Sequence, residues 1–332
     1  MPSTSSKKST NDRQILRSGL AVAERLAPAL GARLVERSWF RLPAAWSSAS
    51  PTDPSALGGA SIQELLGSSF EVSLRGRVVR GWTWGAGPVV YLVHGWGGSL
   101  EQLTPLVAPL TQRGLQVVAF DGLSHGRSDA GAHGPRSSDA VELGRSLDAV
   151  AARFGPARAV VAHSLGGLSA MLALRDGWLA TERLVLVAPL TGVPDVVVRL
   201  REELGFGDRI ERRLVALAAR RTGYAVEDLE LAGLATAIER PQLLVVHDLL
   251  DREAPHAASA RLVAGWEGAE LYSTAGLGHQ RVLADTAVGG AVARFADRLP
   301  VEPSLHAGEP RAPWPLPVTA DSGREEQASR VA

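Results

Sequence analysis

The chain has 332 residues, of which 45% are hydrophobic, so it can bury one large α/β core or two smaller ones. Its 35 lysine and arginine residues balance 35 aspartate and glutamate residues, so no overall charge attracts nucleic acid or an anionic membrane. The absence of cysteine excludes disulfides, thiolate zinc sites, iron–sulfur clusters and cysteine nucleophiles.

Residues 1–60 are expected to precede the main domain as a tail, a helix and a linker. Residues 1–13 predict a disordered tail, and apolar residues at helical spacing over 15–39 predict an amphipathic helix. We expect this helix to pack onto the main domain rather than onto a membrane surface or a partner helix. Its many charged residues argue against a signal peptide or a membrane span, so a cytoplasmic location is expected. Residues 41–60 are rich in Pro, Ser, Ala and Gly and predict a linker.

Short strand patterns dominate from Ser69 onward. The stretches "FEVSLRG" and "RVVRGWTWG" predict an antiparallel pair. Continuous apolar runs that end in polar or glycine-rich corners follow: "PVVYLVHGWGG", "LQVVAFDG", "ARAVVAHSLGG", "RLVLVAP" and "PQLLVVHD", with "AELYST" as the expected last strand. Such runs are typical of a parallel sheet that is covered on both faces.

Helical patterns alternate with these strands. They lie near 100–113, 139–154, 168–176 and 257–266. The alternation predicts a doubly wound, mostly parallel α/β domain whose core comprises residues 69–189 and 240–299.

Residues 190–239 interrupt the alternation. They contain no strand run but at least two helical patterns, "DVVVRLREELGF" and "DRIERRLVALAARR". We expect a helical insertion that acts as a lid over the strand ends and sets the size of the substrate. The arginines at 209–221 are expected to form a solvated helix face rather than a clamp for an anionic substrate. Residues 300–332 are rich in proline and predict a disordered tail.

Reactive side chains are sought at the carboxyl ends of the strands, where open α/β sheets bind their ligands. The side chains expected there are His94, Asp121, Ser164, Asp248, Asp251 and His279. Ser164 is the strongest candidate, because it follows an apolar strand pattern in "AHSLGG", with the small Ala162 two positions before it and Gly166 and Gly167 after Leu165. This pattern is typical of a strained strand-to-helix turn that presents a hydroxyl at a helix N-terminus. Taken alone, a serine in such a turn is more often an ordinary helix cap.

Five motifs occur in the order that they have in the α/β-hydrolase family: "HGWGG", "DGLSHGRSD", "AHSLGG", "VHDLLD" and "GLGHQ". Residues 69–299 resemble that family on these motifs. The resemblance implies that Ser164 is the nucleophile, His279 the general base and Asp251 the acid that orients the histidine. The chemistry is consistent, because a serine hydroxyl needs an imidazole to take its proton and the imidazole needs a carboxylate to fix its tautomer.

Asp248 is an alternative to Asp251 as the acid that orients His279. The family most often has glycine where Asp248 stands, so this chain carries two candidate carboxylates. Asp251 is favoured, because it follows His247 by four residues, where a loop leaving the strand can turn back toward His279.

The resemblance also implies an oxyanion hole made by the backbone N–H groups of Trp96 and Leu165. The side chains of His94, Trp96 and His163 are candidates for lining the substrate pocket, and plain packing is their alternative role. The segment "DGLSHGRS" is expected to organise a loop rather than to react.

The predicted activity is that of a serine hydrolase without metal or cofactor, acting on a small-molecule acyl substrate. No metal-binding motif occurs, and "HGWGGS" lacks the lysine and the glycine spacing of phosphate-binding loops. Ester cleavage through an acyl-enzyme is favoured, with thioesterase, lactonase, acyltransferase and carbon–carbon bond hydrolase as alternatives. A binding module that keeps the fold without chemistry is the alternative of another class.

Overall fold

A computed structural model describes residues 4–43 and 67–298, with residues 4–13 described by their backbone alone. The predicted tail at 300–332 and most of the predicted linker at 41–60 lie outside the described residues. The strands are β1 (Ser68–Leu74), β2 (Arg77–Trp84), β3 (Val89–Val93), β4 (Gln116–Asp121), β5 (Ala157–His163), β6 (Thr181–Val187), β7 (Gln242–Asp248) and β8 (Glu270–Thr274).

These eight strands form one mixed sheet in the order β1-β2-β4-β3-β5-β6-β7-β8. β2 pairs antiparallel with both β1 and β4, and all other neighbours pair in parallel. The predicted antiparallel pair and the predicted parallel sheet are therefore confirmed. The turn between β1 and β2 passes through Arg75 and Gly76, both with positive φ, which is the conformation that tight hairpins require.

The central strands are buried because helices cover both faces of the sheet. Val185, Leu186 and Val187 of β6 expose none of their surface, as expected for a continuous apolar strand in a parallel sheet. The α-helices of the described residues are α1 (Thr4–Leu26), α2 (Pro28–Trp39), α3 (Val107–Thr111), α4 (Ala140–Phe154), α5 (Leu165–Arg175), α6 (Val193–Leu204), α7 (Asp208–Thr222), α8 (Leu231–Thr236), α9 (His256–Ala264), α10 (Gly278–Arg281) and α11 (Thr286–Ala296).

Three predictions about the helical parts of the chain need correction. The expected single helix at 15–39 is two helices, because the ring of Pro28 cannot continue α1 but fits the first turn of α2. The polar stretch expected to be a disordered tail is helical from Thr4 onward. The predicted helix at 100–113 is a 3-10 helix (Leu100–Leu106) followed by α3, and Pro105, which has no N–H to donate, lies where the first ends.

The N-terminal helices pack against α7 through an apolar cluster that contains Leu20, Val35, Ile210 and Leu214. The Glu24 carboxylate of α1 accepts hydrogen bonds from three backbone N–H groups at the start of α7, at 2.8–3.1 Å. A carboxylate at a helix N-terminus satisfies free donors and interacts favourably with the helix dipole. The two N-terminal helices are thus attached to the helices that follow β6.

The segment between β6 and β7 contains α6, α7, a 3-10 helix (Val226–Asp228) and α8. An isolated antiparallel bridge joins Gly192 to Glu230 and draws together the two ends of this insertion. None of the described helices is both long and apolar enough to cross a bilayer.

Candidate active site

Ser164 lies in the sharp turn between β5 and α5. Its φ is 51° and its ψ −120°, a conformation that costs a non-glycine residue about 1–3 kcal/mol. The turn is tight: a Cβ added at Gly166 would lie 2.5 Å from the carbonyl oxygen of His94. Glycine is therefore required there, because β3 and the start of α5 approach backbone to backbone.

His279 contacts this serine although it lies 115 residues later in the sequence. It lies in α10, after β8, and is 7% exposed. Its Nε2 is 3.0 Å from the Ser164 Oγ, and its Nδ1 is 2.8 Å from the Asp251 Oδ2. In the tautomer that fits both contacts, Nδ1–H donates to the carboxylate and Nε2 accepts the serine proton.

Asp251 is held by four donors. Its Oδ1 accepts from the backbone N–H groups of Glu253 (2.7 Å) and Ala254 (3.1 Å), and its Oδ2 lies 3.2 Å from the His247 Nε2 as well as near His279. Burial alone would raise the pKa of Asp251, but hydrogen bonds from His279 and the two backbone groups outweigh it and lower the pKa below its usual value. The carboxylate is thus kept ionised beside the imidazole.

Asp248 has a different position. Its carboxylate accepts from the Thr274 hydroxyl and from the backbone N–H groups of Leu250, Gly276 and Leu277, at 2.8–3.2 Å. Burial opposes ionisation, yet these donors hold the pKa of Asp248 well below its ordinary value. Among the described residues no hydrogen bond joins it to His279. Asp251, rather than Asp248, is the carboxylate in contact with the histidine.

Two backbone N–H groups belong to residues near Ser164: Leu165 follows it in the sequence, and Trp96 lies in a turn that is close to it in space. Leu165 begins α5, and Trp96 follows Gly95, whose added Cβ would lie 3.0 Å from the Ser164 Cβ. Neither N–H has a hydrogen-bond partner within the described part of the chain. Free N–H groups beside a nucleophile are the donors that an oxyanion requires.

A cavity of about 390 Å³ opens onto Ser164 and His279. Its apolar lining includes Trp96, Leu190, Val193, Val196, Ala218, Val226 and Leu229. Charged residues also line it: Asp139, Arg199, Glu203, Arg252 and Glu253. The predicted insertion thus supplies much of the wall, and the volume is in the range of small-molecule sites, roughly 300–1,000 Å³.

Trp39 and Phe40 also line this cavity, and sequence reasoning missed them. They come from the end of α2, more than a hundred residues before Ser164. The only signal was the pair of adjacent aromatic residues at the end of an amphipathic helix.

The family described as "Serine aminopeptidase, S33" matches residues 86–261, more than half of the 332-residue chain. The chain belongs to this family of serine hydrolases. The matched region contains Ser164 and Asp251, whereas His279 and the two N-terminal helices lie outside it.

Solved structures similar to this hydrolase include an enzyme that degrades N-acyl homoserine lactones, with 18% identity and a TM-score of 0.53 over 68% of this chain and 99% of that one. Est1E from Butyrivibrio proteoclasticus, solved with ferulic acid, has 19% identity and a TM-score of 0.53 over 69% and 96%. An esterase from Exiguobacterium antarcticum has 16% identity and a TM-score of 0.52 over 70% and 100%. At such identities the likeness shows the α/β-hydrolase fold alone. No curated protein matches the sequence significantly.

Two predicted pocket residues of the hydrolase, His94 and His163, do not line the cavity. Both are buried, and burial lowers their pKa values to about 4 and about 3, which keeps the rings neutral. His94 donates from Nδ1 to the Gly95 carbonyl (2.8 Å) and accepts at Nε2 from the Gly122 N–H (3.0 Å). His163 donates from Nε2 to the His279 carbonyl, at 3.0 Å. The two histidines support the loops around the hydrolase site instead of lining it.

The "DGLSHGRS" segment is a hydrogen-bonded loop, as expected. The buried Asp121 carboxylate accepts from the backbone N–H groups of Leu100 (2.8 Å) and Arg127 (2.9 Å). The Ser128 hydroxyl donates to the Asp121 carbonyl at 2.6 Å, and His125 Nδ1 lies 3.0 Å from the Leu123 carbonyl. These contacts fix the loop beside the glycine-rich turn after β3.

Proposed function

We propose that this serine hydrolase cleaves a carboxylic ester or a related acyl bond through an acyl-enzyme on Ser164. The observation that carries the proposal is the continuous hydrogen-bonded series from Ser164 Oγ to His279 Nε2 and from His279 Nδ1 to Asp251 Oδ2, at 3.0 and 2.8 Å. Three side chains from distant parts of the sequence have the geometry of an activated nucleophile.

Acylation would begin with attack of the Ser164 oxygen on the acyl carbon, while His279 Nε2 takes the serine proton. The negative oxygen of the tetrahedral intermediate would lie between the N–H groups of Trp96 and Leu165, each donor contributing roughly 3 kcal/mol to the stability of the transition state. His279 then gives the proton to the leaving oxygen, and the alcohol departs. Throughout this step Asp251 remains ionised and stabilises the imidazolium.

Deacylation repeats the same steps with water as the nucleophile. His279 takes a proton from water, the hydroxide adds to the acyl carbon, and the bond to Ser164 Oγ breaks as the proton returns to the serine. The products are the carboxylic acid and the free enzyme, so atoms and charges balance without a cofactor. A thiol ester or a lactone could replace the ester as substrate, and an alcohol could replace water in deacylation, with the same groups of the protein. Thioesterase, lactonase and acyltransferase activities are therefore variants of the proposal.

The cavity lining supports an apolar acyl group as the substrate portion. Val193, Val196 and Leu229 line the same cavity as Ser164. Apolar side chains gain roughly 25 cal/mol for each Å² of surface removed from water, so they favour an alkyl or aryl chain over a charged one. The descriptions of two similar solved structures, an esterase and an enzyme that degrades N-acyl homoserine lactones, fit this chemistry.

Aminopeptidase activity is a second candidate, because the description of the family names it and carboxylates lie near the histidine. Glu253 Oε2 is 3.9 Å from His279 Nε2, and Glu203 lines the same cavity. Such carboxylates can pair with the ammonium group of a peptide N-terminus. Arg199 and Arg252 offset their charge, so we rank this activity second. A higher kcat/KM on amino-acid p-nitroanilides than on p-nitrophenyl esters would reverse the ranking.

Ser164→Ala tests the proposal directly. Turnover of p-nitrophenyl acetate and butyrate should fall by a factor of about 10⁶, while the circular dichroism spectrum stays that of the wild type. The wild type should also be labelled by a fluorophosphonate, which reacts with an activated serine, and the variant should not. A folded variant that keeps its activity would refute the role of Ser164, and an unlabelled, inactive wild type would favour the binding-module alternative.

A further inference from the structure

Part of the wall of the cavity comes from the N-terminal segment, which precedes the α/β core in the sequence. Trp39 and Phe40 line the same cavity as Ser164, and their rings stack on each other with centroids 4.5 Å apart. Phe40 is only 5% exposed, so it is a fixed part of the interior rather than a surface side chain. A segment outside the region matched by the family thus contributes two large aromatic rings to the candidate substrate site.

The chain just after α2 is joined to the core next to the cavity. The Leu42 N–H donates to the Arg136 carbonyl at 2.9 Å, and the Ser138 N–H donates to the Phe40 carbonyl at 3.3 Å. The next residue, Asp139, itself lines the cavity. Backbone hydrogen bonds of this kind fix the position of the aromatic pair relative to the cavity wall.

A partly buried arginine of α7 also holds Phe40. The guanidinium carbon of Arg221 lies 4.2 Å from the centroid of the Phe40 ring, and the Arg221 Nε donates to the Asp139 Oδ2 at 2.9 Å. The ring is therefore in contact with the insertion and, through Arg221, with the start of α4. A cation over the face of an aromatic ring is attracted to it, so this contact helps to hold Phe40 in place.

The other end of α2 is packed against α7 with little free space. A Cβ added at Gly31 would lie 2.5 Å from the Ile210 Cδ1, so the two helices approach closely. Ala218 and Thr222 of the same α7 line the cavity. Since α2 is fixed at both ends, its aromatic pair cannot move aside for a longer ligand without breaking packed contacts.

We infer that the segment from Pro28 to Leu42, with Trp39 and Phe40 at its centre, determines the length of acyl chain that the site accepts. The inference rests on the proposed acyl-enzyme function. The aromatic pair is a fixed part of the cavity lining, so we expect it to exclude acyl chains too long for the space that it bounds. A segment that served stability alone would leave the chain-length preference unchanged when its rings are trimmed.

The experiment compares the rates at which a short-chain and a long-chain alkyl fluorophosphonate label Ser164 in the full chain. The variants are Trp39→Ala and Phe40→Leu, with Leu34→Ala as the control, because Leu34 lies on the same helix and is 49% exposed. The ratio of the two rates is measured within one sample, so a partly unfolded variant still reports the preference of its folded fraction. Trp39 is only partly buried, which makes its truncation tolerable.

We expect the long-to-short ratio to rise by at least about tenfold in Trp39→Ala and to rise in Phe40→Leu, since one methylene group in an apolar pocket already changes reactivity about tenfold or more. Leu34→Ala should keep the wild-type ratio. Wild-type labelling with an unchanged ratio in both aromatic variants would overturn this inference and leave the proposed function intact. A wild type that neither probe labels would overturn the proposed function and this inference with it.

Discussion

Asp251→Asn is the substitution that most sharply tests the assignment of the acid. All four partners of this carboxylate are donors: the N–H groups of Glu253 and Ala254 at Oδ1, and the imidazoles of His247 and His279 at Oδ2. An amide has one acceptor oxygen and one NH₂ group, so whichever way it turns, the NH₂ faces two donors. If the oxygen keeps the backbone groups, the NH₂ drives His279 toward the tautomer with its proton on Nε2. In that tautomer the ring cannot accept the serine proton.

The expected loss in kcat is about 10⁴-fold, which corresponds to about 5.4 kcal/mol of transition-state stabilisation. The unsatisfied buried donors should also lower the free energy of unfolding by about 1–3 kcal/mol. The assay is kcat on p-nitrophenyl butyrate, together with thermal unfolding followed by circular dichroism at the same pH.

Asp248→Asn is the matched control, because that carboxylate is likewise surrounded by four donors. We expect a comparable loss of stability but a loss in kcat of no more than about 10²-fold, the effect of a slightly misplaced group. The opposite pattern, with near-normal turnover in Asp251→Asn and a collapse in Asp248→Asn, would refute the assignment of Asp251.

Three further substitutions test features of the fold and site. Burial and the neighbouring Asp139 raise the pKa of Glu142 to about 7 from an unfolded value of 4.5, so the folded state binds this proton more tightly and stability should fall as the pH rises from about 4.5 to about 7. Glu142→Gln should remove that decline, about 1–3 kcal/mol in urea titrations at pH 5 and 8, and an unchanged slope would contradict the pKa. Gly166→Ala should destabilise the protein by about 1–3 kcal/mol and abolish turnover, because the added Cβ would lie 2.5 Å from the His94 carbonyl oxygen. A melting temperature equal to that of the wild type would show that the turn can relax. Glu24→Gln should cost about 1–2 kcal/mol by weakening the cap of α7, measured by thermal unfolding, and no change at low salt would argue against the cap.

Local sequence signals were enough to predict the sheet and its reactive corner. The parallel strands from β3 to β7 contain continuous apolar runs that end in a polar or glycine-rich turn, so the pattern identifies both the strand and its ligand-binding end. Ser164 could be found from the sequence because its tight turn requires small residues nearby, and Gly166 stands two positions after it.

Features that depend on which surfaces meet could not be predicted in this way. Helical periodicity shows that one face of α2 is buried, but not that Trp39 and Phe40 reach the cavity of a distant serine. The same limit explains the error at His94 and His163. A histidine at a strand end can face the ligand or support a loop, and only the surrounding packing, which buries both rings, decides between the two.

The position of Asp248 explains how a histidine beyond β8 reaches a serine at the end of β5. The two strands are separated by β6 and β7, three steps of about 4.8 Å, or about 14 Å at the strand ends. The chain after β8 must therefore turn back across the sheet before His279 can lie 3.0 Å from Ser164. Asp248 ends the intervening β7 and accepts the N–H groups of Gly276 and Leu277, which draws that chain inward. We therefore expect Asp248, the alternative to Asp251, to act as a positioning residue, because it fixes the loop that carries His279.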